Sequence, residues 1–353
     1  MKEISIVGLD LAKRVFQLHG VDRNGHVTAQ KRLTRSEMSS WFGTLQPCLI
    51  GMEACATSHY WARELGKLGH QVRLIPPAYV KPYVRRQKND RADAAAICEA
   101  VGRPSMRFTP VKSVEQQAVQ MLHRSRDILV RQHTQLINAM RAHLAELGLI
   151  FPQGKAGTAS AIAAVQDTEN ADLPVFVRQI LRSLVEQTRS LEKEIAGLDK
   201  QMAEWHRAHA GSKRLASIPG IGVVTATAIV ATIGDGRQFR SGREFAAWIG
   251  LVPRQNSSGG KEQLGRISKK GNHYLRRLLV TGATTQLRGN RRAIPPGGLW
   301  LEQLRLRKPA RVASVALANK MARIAWALLS KGENYRAPVI VTKGAVPTMA
   351  AAA

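Results

Sequence analysis

The 353-residue chain carries 53 Lys and Arg against 25 Asp and Glu, for a net charge of +28 and a pI of about 11.0. That length supports two or three domains, and a field of that sign gathers polyanions well beyond what solubility requires. No run approaches the roughly 18 apolar residues of a spanning helix, and the first ten residues lack signal-peptide character. The three cysteines (Cys48, Cys55, Cys98) have no CxxC spacing, which argues against a disulfide framework or a zinc site. These features predict a nucleic-acid protein of a reducing cytoplasm with no membrane association.

Residues 4–10, 15–21 and 27–33 read as three successive strands, rich in β-branched residues or alternating in polarity. A helix is expected over 36–45, a buried strand over 48–53, a helix over 58–68 and a strand over 71–75 before Pro76 and Pro77. A meander followed by alternating helices and strands predicts a mixed sheet with helices on its faces. An alanine-rich helix follows over 91–101. Ser113, with Gln116 three residues on, opens a long helix as a capping box. Its apolar side chains recur through Val119, Leu122, Leu129, Leu136, Met140, Leu144 and Leu147. Residues 154–174 read as a looser segment. A second long helix carries Val177, Leu181, Leu184, Thr188, Leu191, Ile195, Leu198 and Met202, whose alternating steps of four and three make a heptad seam. The two helices predict an antiparallel coiled-coil arm or an oligomer interface. From residue 215 onward the chain reads as helical with glycine-rich interruptions and a Pro295-Pro296-Gly297-Gly298 break. It continues into an alanine-rich helix over 311–329 and ends in a disordered tail after 344. Between Gly236 and Lys343 there are 22 Lys and Arg against 4 Asp and Glu, so the last third is expected to grip phosphate hardest.

Four acids stand out in this basic chain. Asp10 and Glu53 each end an apolar strand, where a carboxylate is costly unless a metal or charge partner compensates. Asp90 and Asp93 share one face at the start of a helix, near its positive dipole end. Each acid alone has an ordinary reading: Asp90 as an N-cap, Asp10 as a strand end in a turn. Together they suit Mg2+ (or Mn2+), which prefers hard oxygen ligands drawn from separate elements, and such a centre serves chemistry at a phosphodiester.

Gly220 and Gly222, before a helix over 223–233, would allow close backbone approach to a phosphate in the manner of a helix-hairpin-helix, or else form a plain corner between helices. The loop after Gly250 holds Ser257 and Ser258 among Arg254, Lys261, Arg266, Lys269 and Lys270. Those serines could simply belong to a mobile phosphate-gripping loop, or one could attack phosphorus. With no His/Asp pair to activate a serine, physics alone favours the first. His123, His133 and His143 are spaced by ten and read as surface or interface residues. Lys13 reads as a phosphate contact or a solvated helix lysine. With 6 Trp and 5 Tyr, base stacking is not the leading mode, and recognition of RNA duplex by shape and backbone is expected instead.

The segments Gly-Leu-Asp-Leu-Ala-Lys, Gly-Met-Glu-Ala-Cys, Asn-Asp-Arg-Ala-Asp-Ala, Ile-Pro-Gly-Ile-Gly and Gly-Leu-Val-Pro-Arg-Gln-Asn-Ser-Ser-Gly-Gly, in this order, resemble successive blocks of the DEDD transposases of the insertion-sequence one-ten and eleven-eleven group. The resemblance spans about residues 5 to 330. It implies a RuvC/RNase H-like α/β domain over 1–104, a coiled-coil helical linker over 105–210 and a mostly helical transposase domain over 211–343. It assigns catalytic, metal-holding roles to Asp10, Glu53, Asp90 and Asp93, and makes Ser258 the nucleophile, with Ser257 as its neighbouring alternative. It further implies donor and target DNA, a structured bridge RNA as guide, a homodimer that pairs into a tetramer, and a nucleoid-associated bacterial enzyme. The competing expectations are a RuvC-like junction nuclease without a covalent intermediate, and a non-enzymatic architectural binder.

Overall fold

The computed structural model describes residues 3–84, 89–169, 172–288 and 296–337, and the expected tail lies outside them. The chain divides into two compact units, Met1–Glu115 and Gln116–Ala353.

The first unit is built on one five-stranded sheet. Strands β1 (Ile6–Leu11), β2 (Val15–Val21) and β3 (Val27–Thr34) form the antiparallel meander. Helix α1 (Glu37–Gly43) leads to β4 (Leu49–Glu53), and α2 (Ser58–Lys67) leads to β5 (Gln71–Ile75). Helix α3 (Pro77–Val80) and a 3-10 turn over Lys81–Tyr83 precede α4 (Asp90–Val101). The strand order is β3-β2-β1-β4-β5, with β4 parallel to both β1 and β5. This is the mixed sheet that the alternation of strand and helix signals predicts. Lys13 falls in the connection between β1 and β2, not on a helix.

The two faces of the sheet bury different residues, as period-2 alternation requires. Val7 and Leu9 pack with Phe16, Leu18, Phe42, Trp61 and Leu65 on the face covered by α1 and α2. Ile6 joins Ile75, Ile97 and Val101 on the face covered by α4. On that second face the sheet presents two paired glycines, Gly8 and Gly51. A Cβ on Gly8 would lie 2.1 Å from the Ala94 carbonyl oxygen, and one on Gly51 would lie 2.6 Å from Val101 Cβ. Both must stay bare for α4 to lie directly on the strands.

Among its described residues the second unit is helical apart from one hairpin. Helix α5 (Val114–Ala145) begins just after Ser113, and α6 (Lys155–Gln166) follows. The latter replaces the looser segment expected over 154–174. Gly154 and Gly157 obscure its helical signal, while seven of its neighbours in the run Ala156–Val165 are small or apolar helix formers and bury Ala161 and Val165. Helix α7 (Val175–Ala208) runs antiparallel to α5. His133 on α5 binds Glu192 on α7, and seven residues back along α5 Arg126 meets Asp199, seven residues further along α7. One more heptad from His133 brings Met140 into the same apolar cluster as Val185. Every position of the α7 seam from Val177 to Met202 is at least partly covered.

Helices α8 (Ala210–Ala216), α9 (Val223–Ile233) and α10 (Gly242–Ile249) come next, then strands β6 (Pro253–Gln255) and β7 (Leu264–Ile267). Helices α11 (His273–Arg288), α12 (Leu299–Arg307) and α13 (Ala310–Lys331) complete the described chain. Of the Pro-Pro-Gly-Gly break before α12, Pro295 lies outside the described residues. By length and composition α13 is long and apolar enough to cross a membrane, which the sequence reading did not anticipate. An alanine-rich core helix satisfies the same criterion, and Leu317, Met321, Ala325 and Leu328 sit in the core with Ile229, Phe245 and Leu279.

His123 is not a surface residue. It is 3 % exposed and joins α5 to α9 and α11. The Thr227 hydroxyl donates to the Val223 carbonyl, so it accepts from His123 Nε2–H at 3.0 Å, and Nδ1 in turn accepts from the Tyr274 hydroxyl at 3.0 Å. Burial, aided by the Arg126 charge, pushes the His123 pKa down to about 4, which keeps the ring neutral.

Gly8→Ala should destabilise the protein by about 1–3 kcal/mol, because the methyl group meets the backbone of α4. Gly66→Ala, in α2 with open space at its Cβ, should be neutral or stabilising. Urea unfolding of both variants beside wild type checks the pair.

Candidate active site

The close packing of α4 on the sheet creates the acidic site. Asp10 lies two residues beyond Gly8 and Glu53 two beyond Gly51, so both acids project on the face that α4 covers. The first turn of α4 supplies Asp90 and Asp93. A carboxylate oxygen from each of Asp10, Asp90 and Asp93 lies within 4.8 Å of the other two. Glu53 stands outside this trio, yet its charge is felt at Asp10.

Asp90 does not cap its own helix. Asn89 does, its side-chain oxygen accepting from Ala92 N–H at 2.8 Å, and this leaves both aspartates available. Sequence reasoning missed Asn89, although an Asn just before an acidic first turn is a recognisable cap signal. Burial, then Asp93, Asp90 and Glu53 in that order, push the Asp10 pKa up to about 6. A cluster of hard oxygens that repel one another fits a divalent cation, which would neutralise them together.

The serine-bearing segment is a β-hairpin rather than an open loop. Gly259 and Gly260 take φ of 55° and 76° between Ser258 and Lys261, and Lys261 N–H donates to the Ser258 carbonyl at 3.1 Å. Two central residues at positive φ define the tight hairpin turn that glycine favours. The two serines differ. Ser257 Oγ accepts from Gln263 N–H at 3.2 Å, holding the hairpin together. The exposed Ser258 hydroxyl has no partner among the described residues.

The hairpin stands on a rigid base. Arg276, 9 % exposed, donates to the Ile249 carbonyl at 2.7 Å and the Lys270 carbonyl at 3.1 Å. A Cβ on Gly271 would sit 1.7 Å from the Trp248 carbonyl oxygen. Arg254 donates to the Ser268 carbonyl at 3.4 Å, whereas Lys261, Arg266, Lys269 and Lys270 are exposed. Lys269 takes a φ of 54°, unusual outside glycine, as its N–H reaches the Gly250 carbonyl.

The paired glycines before α9 serve different ends. Gly222 is exposed with open space at its Cβ, which suits approach by a phosphate. Gly220 faces inward: a Cβ there would press on Met321, Gln286 and the Gly282 carbonyl, and one on Gly282 would lie 2.0 Å from the Gly220 carbonyl oxygen. Gly220 therefore packs the turn onto α11, as the plain corner between helices requires.

Grouped carboxylates between a mixed sheet and a helix N-terminus, in so basic a chain, are compatible with a nuclease-like domain. A family model described as Transposase IS116/IS110/IS902 family matches residues 212–295, and an IS110-type DEDD transposase model matches residues 7–149. The chain belongs to this IS110 family of transposases, DNA-cleaving and rejoining enzymes of insertion sequences. It is 52 % identical over 334 residues to a probable family 20 transposase of Pseudomonas aeruginosa, covering 94 % of this chain and 99 % of the relative. It is 42 % identical to the transposase for insertion sequence element IS1111A of Coxiella burnetii, covering 95 % and 92 % of the two chains. It is 39 % identical to the transposase for IS1328 of Yersinia enterocolitica, covering 94 % and 98 %.

Because the Asp10 pKa in the fold exceeds its ordinary value of 3.8, the metal-free protein should lose stability as pH rises from about 4 through 6. Asp10→Asn should therefore raise the melting temperature at pH of about 7.5 and leave it nearly unchanged at about 4. Mg2+ should raise the wild-type value at the higher pH and have little effect on the variant. Thermal melts in chelator and in Mg2+ measure both effects.

Proposed function

We propose that this transposase cuts and rejoins DNA through a phosphoserine link at Ser258, with Asp10, Glu53, Asp90 and Asp93 forming a Mg2+ or Mn2+ site in a RuvC/RNase H-like domain. The single observation that carries the serine's role is the contrast in hydrogen bonding: Ser257 is spent on the hairpin, whereas the Ser258 hydroxyl, at an exposed turn, has no partner among the described residues. The family resemblance supplies the rest, including a bridge RNA that pairs with donor and target DNA and a dimer that assembles into a tetramer. On this reading the antiparallel α5–α7 pair is the coiled-coil arm.

In the first step Ser258 Oγ forms a bond to phosphorus as the bond to one DNA strand breaks. The serine proton passes to solvent and the departing strand leaves as a hydroxyl. In the second step a strand hydroxyl attacks the phosphoserine and restores the serine. One phosphoester replaces another at each step, so no nucleotide hydrolysis is required. A divalent cation on the carboxylates would offset charge on the phosphate's non-bridging oxygens. Lys261, Arg266, Lys269 and Lys270 hold the backbone beside the turn, and Gly222 leaves room for it at α9. The acids and Ser258 belong to different units of the chain; they could meet by folding of one chain or across protomers, and the hypothesis put to the test below is the second.

Ser258→Ala should abolish cleavage and the protein–DNA adduct on denaturing gels, while Ser257→Ala, losing one hydrogen bond at about 0.5–1.5 kcal/mol, should keep both. Cleavage by Ser258→Ala without an adduct would instead support a metal-dependent junction nuclease. Mixing Ser258→Ala with Asp10→Ala chains should restore activity to part of the assemblies, and no recovery would refute the shared centre.

A further inference from the structure

On the sheet face that carries Asp10, a row of side chains runs from the acids to the free edge of the sheet. Asp10 on β1 pairs directly with Gln17 on β2, and Gln17 pairs with Arg32 on β3. Directly paired residues project to the same face, with Cβ atoms about 4.5–5.5 Å apart. Gly8 beneath Ala94 and Cys98 fixes that face as the one bearing α4. Helix α4 packs on β1, β2, β4 and β5. Strand β3 is the edge strand, and Arg32 on it is exposed.

The neighbouring polar groups are already engaged. In the adjacent row Gln30 Nε2 meets His19 Nδ1 at 3.3 Å. Two residues beyond Arg32 on β3, the Thr34 hydroxyl and N–H both donate to Glu37 Oε2 at 2.7 Å. The side chains of Gln17 and Arg32 have neither a hydrogen bond nor an ion pair among the described residues. Arg23, by contrast, is paired with Glu3 and Arg103 with Glu99.

A phosphate backbone approaching grouped carboxylates meets repulsion, and a cation fixed about two strand spacings away, roughly 10 Å, offsets it and sets the strand's direction. A guanidinium also matches two phosphate oxygens at once. An amide between the two charges donates and accepts without adding charge. We propose that Gln17 and Arg32 are the track by which the DNA backbone reaches the carboxylates, Arg32 holding a phosphate neighbouring the scissile one and Gln17 contacting the link between them. This rests on the acid cluster being the reaction centre.

The test uses the full chain with its guide RNA, if it requires one, and a labelled duplex from the end of its own element. Single neutral methylphosphonates replace, one at a time, the phosphates flanking the cleavage point. At one flanking position wild type should lose cleavage about tenfold, as expected for one charge-assisted contact. Arg32→Ala should lose about as much on unmodified DNA and no more when that phosphate is neutral. Arg32→Lys should recover part of the rate, and Arg23→Ala should match wild type. Each ratio compares two DNAs with one protein preparation, so partial unfolding cannot mimic it. If Arg32→Ala stays as sensitive as wild type at every position, the track is refuted while an inactive Asp10→Asn leaves the reaction centre standing. If Asp10→Asn cleaves at the wild-type rate, both fall.

Discussion

The acid cluster depends on how low α4 lies on the sheet. Gly8 and Gly51, paired across neighbouring strands, remove the two side chains that would hold the helix away. The descent of the helix axis brings its first turn level with the strand ends, so Asp10 comes within 4.8 Å of Asp90 and Asp93, which follow it by eighty residues or more in sequence. The arrangement carries a cost, visible in the upward shift of Asp10. The packing of Ile97 and Val101 of α4 against Ile6 and Ile75 of the sheet holds together charges that would otherwise separate.

The second unit solves a related problem by the same means. Gly220 and Gly282 let the turn before α9 touch α11 backbone to backbone, and Gly250 and Gly271 do the same at the base of the hairpin. The hairpin is short and exposed, but it stands on main-chain contacts and the buried Arg276 rather than on a loose tether. Position without bulk would suit the Ser258 hydroxyl in the nucleophilic role proposed for it.

Much of this was legible in the sequence because the signals were local. The apolar, β-branched run 15–21 located β2 and the segment before Pro76-Pro77 located β5 to the residue, and the heptad steps located the covered stripe of α7. The acids stood out because buried strands rarely end in carboxylates. What escaped was set by tertiary contact. His123 reads as one of three evenly spaced histidines until Thr227 and Tyr274, over a hundred residues away, close around it. Gly220 reads as a phosphate-loop glycine or a plain corner, and only the packing of α11 shows why its Cα must stay bare. Helix α6 was hidden by two glycines, one of which serves as its N-cap at a φ of 98°. The inequality of Ser257 and Ser258 required the register of a hairpin that the glycine-rich composition had concealed.

The matched heptads of α5 and α7 constrain how this chain can change over evolutionary time. Because the ion pairs and the apolar contacts between the helices repeat in step, in opposite directions, removing seven residues from one helix alone would leave a partnerless overhang. Removing seven from each would shorten the structure and restore every facing pair below the cut. Its reach is thus adjustable in whole units of about 10 Å, seven residues at 1.5 Å each, provided both helices are edited together. Relatives that differ in length within this region should do so by paired changes, one on each side of the connection through α6.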